Sequence, residues 1–205
     1  MEWTTAPGTG PGAELIGDDL QGWRILELGC GAGHNTAHLA DRHAARAVGI
    51  DACAHQIRRA RSCYTPQLST AVFRCSDALT ALRVPGPDYD AICSVFGAVG
   101  LIDPDHLLPL IVRRLRPGGV LAFSVPHPFR PGHRPSPDGS PVPDTLVVPG
   151  PLHLPVSRWE LDANRWADLL TRVGTQSVRI MEFGVPGRPP AARATLLLRA
   201  IKASE

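Results

Sequence analysis

Arg24-Ile25-Leu26-Glu27-Leu28-Gly29-Cys30-Gly31-Ala32-Gly33 decides how this chain is read. An apolar run ends in three glycines at alternate positions, and a helical pattern follows from Asn35 to His43 with Ala37, Leu39 and Ala40 on one side. Glycines in that position let the backbone turn sharply and approach a ligand closely, with the helix N-terminus aimed at the same place. A tight strand-to-helix turn can also exist without a ligand, so the reading leans on the neighbouring strand ends. Asp51 closes the next apolar run, Ala47-Val48-Gly49-Ile50, where a carboxylate can accept hydrogen bonds from a ribose diol. Asp77, in Cys75-Ser76-Asp77-Ala78-Leu79, closes the third run at the same sheet edge. Three polar markers at three consecutive strand ends predict a nucleotide-type cofactor site.

The glycine spacing narrows the ligand. A dinucleotide site uses G-x-G-x-x-G so that a pyrophosphate rests on the helix N-terminus, whereas here the glycines fall at Gly29, Gly31 and Gly33 with Glu27 just before them. A carboxylate there would repel a pyrophosphate and suits a cofactor end that carries an ammonium group and no phosphate. A nicotinamide oxidoreductase is disfavoured on that ground.

Working outward, short apolar runs at Arg24 to Leu28, Ala47 to Ile50, Thr70 to Arg74, Tyr89 to Val95 and Val120 to Val125 alternate with helical segments at Asn35 to His43, His55 to Cys63 and Asp105 to Leu115. Alternation of this kind predicts a parallel sheet covered on both faces, a doubly wound α/β fold. From Pro126 to Pro155 the character changes, with ten prolines in thirty residues and a turn signal at Ser136-Pro137-Asp138-Gly139. That segment, 126–156, is expected to be a loop or lid. Ser157-Arg158-Trp159-Glu160 has capping-box spacing, which predicts a helix running to Val173 before Gly174 ends it. Ser177 to Phe183 and Arg193 to Ile201, separated by Gly184 to Pro190, then predict an antiparallel C-terminal hairpin and a sheet of seven strands.

Composition agrees with one ordinary globular domain over residues 1–205, with a cofactor core at 24–125 and a C-terminal helix and hairpin at 157–205. The longest apolar stretches are a handful of residues, far short of the roughly 18 that span a bilayer. The N-terminus lacks a basic head followed by an apolar run, and five cysteines without a C-x-x-C pair fit reduced thiols, so a cytoplasmic location is expected. A net charge of +2, with basic residues dispersed, gives no footprint for nucleic acid.

Glu27 to Gly33, Gly49-Ile50-Asp51, Cys75-Ser76-Asp77-Ala78, Tyr89-Asp90-Ala91 and Leu115-Arg116-Pro117-Gly118-Gly119 together resemble the ordered motifs of class I S-adenosylmethionine-dependent methyltransferases. The likeness runs from about Arg24 to Val125, and the C-terminal helix and hairpin agree with that family's seven-stranded, mostly parallel sheet whose last strand is antiparallel. The resemblance implies S-adenosyl-L-methionine as cofactor and S-adenosyl-L-homocysteine as product. It implies that Gly29, Gly31 and Gly33 admit the cofactor, that Glu27 lies near its methionine end, and that Asp51 holds the ribose hydroxyls. Ala52 would pack on adenine, Asp77 would accept from the adenine amino group, the Ala78 N–H would meet a ring nitrogen, and residues around Ser94 would line the methionine and substrate side.

For the chemistry, methyl transfer needs chiefly a near-attack geometry, and a dedicated catalytic residue can be absent. If a base is needed, His127 is the best-placed candidate, because it follows the fifth strand at the cofactor edge; the alternative is that Pro126-His127-Pro128 only shapes a turn. Few residues precede the first strand, so the 126–155 segment, carrying Phe129, Arg130, His133, Arg134, Asp138, Asp144 and His153, is expected to enclose a small or medium polar acceptor or else to be a surface excursion. His34 and His38, at i and i+4, make a weak case for metal, and none is assigned. Cys30, Cys53, Cys75 and Cys93 near four strand ends could invite a thiophilic substrate, although small buried thiols explain them more simply.

The expected function is methyl transfer to a small-molecule acceptor, by analogy in specialised, natural-product metabolism, by a monomer or homodimer. Two alternatives are a protein of the same fold that catalyses cyclisation or elimination and a non-catalytic cofactor-binding scaffold.

Overall fold

The computed structural model describes residues 1–147, 153–184, 187 and 193–204. Residues 148–152 of the Pro-rich segment, and most of the turn expected at Gly184 to Pro190, lie outside them. The elements run β1 (Arg24–Leu28), α1 (His34–His43), β2 (Arg46–Asp51), α2 (Ala54–Tyr64), β3 (Ala71–Cys75), α3 (Ala78–Arg83), β4 (Tyr89–Val95), α4 (Pro104–Arg114) and β5 (Leu115–Pro126). They continue with β6 (Val142–Val147), β7 (His153–Arg158), α5 (Ala163–Arg172), β8 (Thr175–Gly184) and β9 (Arg193–Lys202).

Seven strands form one sheet in the order β3-β2-β1-β4-β5-β9-β8, with β9 antiparallel to both neighbours and the pairs from β3 to β5 parallel. This is the doubly wound α/β sheet with an antiparallel C-terminal strand that the sequence predicts. From β1 the chain winds outward through β2 to β3, then returns to place β4 on β1's other side. The reversal opens a crevice at the carboxyl ends of β1 and β4, the usual ligand position in such sheets.

Alternation along the strands assigns each side chain to a face. In β1, Leu26 and Leu28 enter the cluster with Leu107, Ile111, Phe123 and Trp166, while Ile25 enters the opposite cluster with Trp3, Ile16, Leu39 and Ile57. Glu27 shares the Ile25 face, which turns a carboxylate toward α1 inside the protein. Trp3 is fully buried and donates its indole N–H to Gly12 O at 2.9 Å, so it packs the second cluster.

Two expectations fail here. The Pro-rich segment is not simply loop: β6 and β7 pair as an antiparallel ribbon, with Leu146 opposite Leu154. A two-stranded ribbon is all edge and tolerates Pro143 and Pro155, because a proline nitrogen can face away from the partner strand. The helix does not start in a capping box at Ser157. Ser157 and Arg158 end β7, and α5 begins at Ala163 with Asp162 as its cap, accepting from the Arg165 N–H at 2.8 Å. Glu160 is turned instead into an ion-pair cluster with Arg130, because its near-complete burial requires a cation partner.

Candidate cofactor and acceptor cavity

At the crevice lies a cavity of about 640 Å³ whose walls come from the β1–α1 loop, the ends of β2, β3 and β4, and the β6–β7 ribbon. Glu27, Gly29, Gly31, Asp51, Ala52, Asp77 and Ala78, all marked by the sequence, line it. Gly33 sits behind, in the left-handed region, as N-cap of α1.

The loop conformation follows from two glycines. Gly29 has φ +76°, and a Cβ there would fall 2.7 Å from the Ala98 nitrogen and the Gly97 Cα, so only a residue without a side chain lets the loop after β4 come this close. Gly31 has φ +53°, and a Cβ there would meet nothing within 4 Å, which leaves its backbone open to the cavity. Asp51 fixes that backbone: one carboxylate oxygen accepts from the Gly31 N–H at 2.8 Å, the other from the Cys53 N–H at 2.8 Å. The acid thus ties the first two strand ends together with lone pairs to spare for a ligand.

Glu27 is 3% exposed and accepts from the Thr36 hydroxyl on α1. Burial pushes its carboxyl up to about 7, outweighing the Thr36 and Asn35 hydrogen bonds that favour the ionised form. A buried carboxyl on the cavity wall suits a cationic group. Asp77 behaves differently: it is exposed, caps α3 by accepting from the Thr80 N–H at 2.8 Å, and that bond holds its carboxyl below the ordinary range.

Besides Gly33, two sequence candidates are not on the cavity wall. Ser94 is fully buried within β4, donates to Leu28 O at 2.9 Å and receives the Val99 N–H at 3.3 Å, so it staples the β4 exit to β1. The cavity is lined one residue later, by Val95, Phe96, Gly97 and Ala98. Phe96 holds a left-handed φ of +47°, a costly backbone for a bulky residue and a recurrent mark of functional sites. His127 is 1% exposed; its Nδ1 accepts from the Phe129 N–H at 3.1 Å and its Nε2 lies 3.5 Å from Glu182 on β8. Burial pushes its pKa down, outweighing Glu182. Its bond with the Phe129 N–H ties the turn after β5.

The polar residues of the lid segment face one another. Arg130 makes two 2.7 Å bonds to Glu160, and Arg158 binds Asp144 at 2.6 Å. Burial pushes the Asp144 carboxyl up, but Arg158, the Thr145 N–H and Arg130 hold it below its ordinary range. Asp138 is occupied by Ser136 and Ser140. Expected to enclose a polar acceptor, these groups instead pin the ribbon, and the ribbon offers the cavity Leu146 and Leu154.

The sequence reading missed Asn35 and Gln56 on the helix side of the wall and weighed His34 and Cys53, which also line it, only for a metal and a thiophilic substrate. Their signal was position, since the first turns of α1 and α2 follow the marked loops directly. His34 Nδ1 meets the Tyr64 hydroxyl at 2.6 Å, and His38 stacks near His43 rather than pairing with it. Cys30 and Cys93 are buried, with thiols pushed up by burial, whereas Cys53 and Cys75 are exposed, so the four do not converge. No helix among the described residues is long and apolar enough to cross a membrane.

Known proteins share this fold. Residues 25–119 match the family described as a methyltransferase domain. A trans-aconitate 2-methyltransferase of Azoarcus sp. (strain BH72) is 40% identical over 114 residues, covering 54% of this chain and 42% of that protein. The chain therefore spans less than half the length of that curated relative. An S-adenosylmethionine-dependent methyltransferase from Mesorhizobium loti superposes with a TM-score of 0.66 at 22% identity, covering 90% of this chain and 93% of that one. The [4+2]-cyclase SpnF superposes with a TM-score of 0.66 at 20% identity, covering 94% and 79%.

Proposed function

We propose that this chain is a class I S-adenosylmethionine-dependent methyltransferase and transfers a methyl group to a small-molecule acceptor. The observation that carries the reading is the loop–acid assembly of one cavity: Asp51 locks the Gly31 backbone open while the buried carboxyl of Glu27 faces the same space. The residues suit the family's cofactor, S-adenosyl-L-methionine, because Glu27 offers a receptor for an ammonium and Gly31 leaves room where a side chain would intrude. When bound, that cofactor supplies a methyl carbon activated by a sulfonium, open to in-line attack by an acceptor nucleophile.

The protein's own work is then binding, orientation and exclusion of water. Asp51 presents carboxylate lone pairs to a ribose diol, and Ala52, Ala78 and Ile50 form an apolar slot for a base. Asp77 keeps one carboxylate oxygen outside its helix-cap bond for a donor on that base. Val95, Phe96 and the ribbon leucines keep water from the acceptor end. No histidine or carboxylate beyond those already described for the cofactor end stands at the acceptor end among the described residues, which supports catalysis by proximity rather than by a dedicated base.

The likeness to a cyclase supports a second reading, in which the same cofactor is held without methyl transfer. Calorimetric titration with S-adenosylmethionine and S-adenosylhomocysteine tests the shared part: binding is expected, and it should weaken at least about tenfold in Asp51→Ala, a loss of roughly 1.4 kcal/mol. Mass spectrometry of metabolite extracts incubated with methyl-labelled cofactor separates the two readings. A labelled product supports transfer; converted but unlabelled product supports the cyclase-like reading.

A further inference from the structure

The wall of the cavity names a substrate class, and this inference rests on the methyl-transfer reading. Its three carboxylates, Glu27, Asp51 and Asp77, serve the cofactor end in that reading, and no described arginine or lysine lines the cavity. Two cations of the lid segment are committed elsewhere, Arg130 bidentately to Glu160 and Arg158 to Asp144. Arg134, bonded to the His133 carbonyl, is exposed and does not line the cavity.

The ribbon explains why. On its inner face Val142, Asp144 and Leu146 of β6 stand beside Leu154, Val156 and Arg158 of β7, while Pro143, Thr145, Pro155 and Ser157 on the other face are exposed. At the ribbon's base Asp144 pairs with Arg158 across the two strands and with Arg130, which Glu160 holds in turn, so the inner face is tied to the body through Arg130. Toward its tip the same face presents Leu146 and Leu154 as a directly opposed pair on the cavity wall. Leu154 is 38% exposed and Phe129, in the same segment, 44%, although large apolar side chains gain by burial. The ribbon thus sets an opposed pair of apolar side chains on the cavity wall.

We infer that the acceptor is an uncharged, predominantly apolar molecule presenting a single nucleophilic group, and not a polycarboxylate. A polyanion would find no described arginine or lysine on the cavity wall to offset its desolvation. An apolar skeleton would bury Leu146, Leu154 and Phe96 as it bound.

The test uses the full chain saturated with S-adenosylhomocysteine, with saturation confirmed by calorimetry, and the uncharged fluorophore N-phenyl-1-naphthylamine as probe. Saturable fluorescence enhancement is expected, with trans-aconitate displacing the probe at least about tenfold more weakly than an uncharged naphthol of similar size. Leu146→Arg combined with Leu154→Arg should weaken the probe about tenfold or more, with circular dichroism reporting that the variant is folded. Absence of probe binding to the loaded wild type, or displacement by trans-aconitate as efficient as by the naphthol, overturns the inference while leaving the cofactor reading intact. Failure of S-adenosylhomocysteine to bind overturns the methyl-transfer reading, and the substrate class falls with it.

Discussion

Glu27 concentrates the conflict between stability and function at a single residue. Its folded-state pKa of about 7 lies above the ordinary 4.5, so between those values the folded protein holds a proton that the unfolded chain releases. Its contribution is therefore most favourable below pH 4.5 and is lost as pH rises through 7, reaching a penalty of about 3 kcal/mol. Glu27→Gln, which can still accept from Thr36, should equal wild type near pH 4.5 and exceed it above pH 7 by up to about 3 kcal/mol in denaturant unfolding. The same variant should bind S-adenosylmethionine at least about tenfold more weakly at pH 8, because a neutral amide no longer meets the ammonium. Equal affinity would remove Glu27 from the cofactor site. His127 has the opposite sign: its lowered pKa means that the unfolded chain takes up a proton first, so its contribution is present at neutral pH and lost as pH falls below about 6.5. His127→Gln should flatten that acid limb and leave the pH profile of turnover unmoved. A shifted kinetic pKa would instead reinstate the histidine as a base.

Among the elements, the β6–β7 ribbon is the one whose position depends on ion pairs. Glu160 is nearly inaccessible, and Arg130 supplies its two short bonds. Removing the cation strands a buried carboxylate, a cost of about 3 kcal/mol or more, whereas replacing both partners by apolar groups is often close to neutral. Arg130→Met should therefore lower stability by that amount or release the ribbon, seen as faster amide exchange across Val142–Val147, and Arg130→Met with Glu160→Leu should recover most of it. Additive losses in the double variant would show that the pair is not coupled. This ribbon also marks where the sequence ceased to be legible. Strands β1 to β5 and the helices α1, α2 and α4 were readable because each buries a face, and burial writes a period into the residues, whereas the six-residue α3 is too short to show one. The ribbon buries little, and its prolines carry the signal of a loop. Glu160 sits at the spacing of a capping box, yet its partner is thirty residues upstream, a distance over which local pattern has no reach. The cofactor end of the site was legible for the converse reason, since Gly29, Gly31 and Asp51 are dictated by backbone geometry within one β-α-β unit. The acceptor end was not: Leu146 and Leu154 look like any strand residues until pairing brings them opposite one another.

At the scale of the whole molecule, the sheet reversal joins these parts into one thermodynamic unit. A ligand in the crevice touches loops from β1, β2, β3 and β4 and reaches the ribbon, so binding couples elements that the two apolar clusters otherwise stabilise from opposite faces. Ligand that binds only the folded state adds RT ln(1 + [L]/Kd), about 2.7 kcal/mol at a hundredfold excess over Kd. For a chain of 205 residues, in which each kcal/mol moves the midpoint by about 2–4 °C, S-adenosylhomocysteine should raise Tm by roughly 5–10 °C. The gain should be spread over the sheet. Glycine-loop and β2-end amides should gain exchange protection together with those of the β4 exit, where Ser94 ties Val99 to Leu28. Asp51→Ala at the same ligand concentration should lose about half of the shift, because a tenfold weaker Kd removes about 1.4 kcal/mol of the linkage term. A full shift in that variant would mean that the ligand sits elsewhere in the cavity and that the carboxylate only braces the loop. A vanished shift together with lowered apo Tm would instead assign Asp51 chiefly to the Gly31 and Cys53 hydrogen bonds.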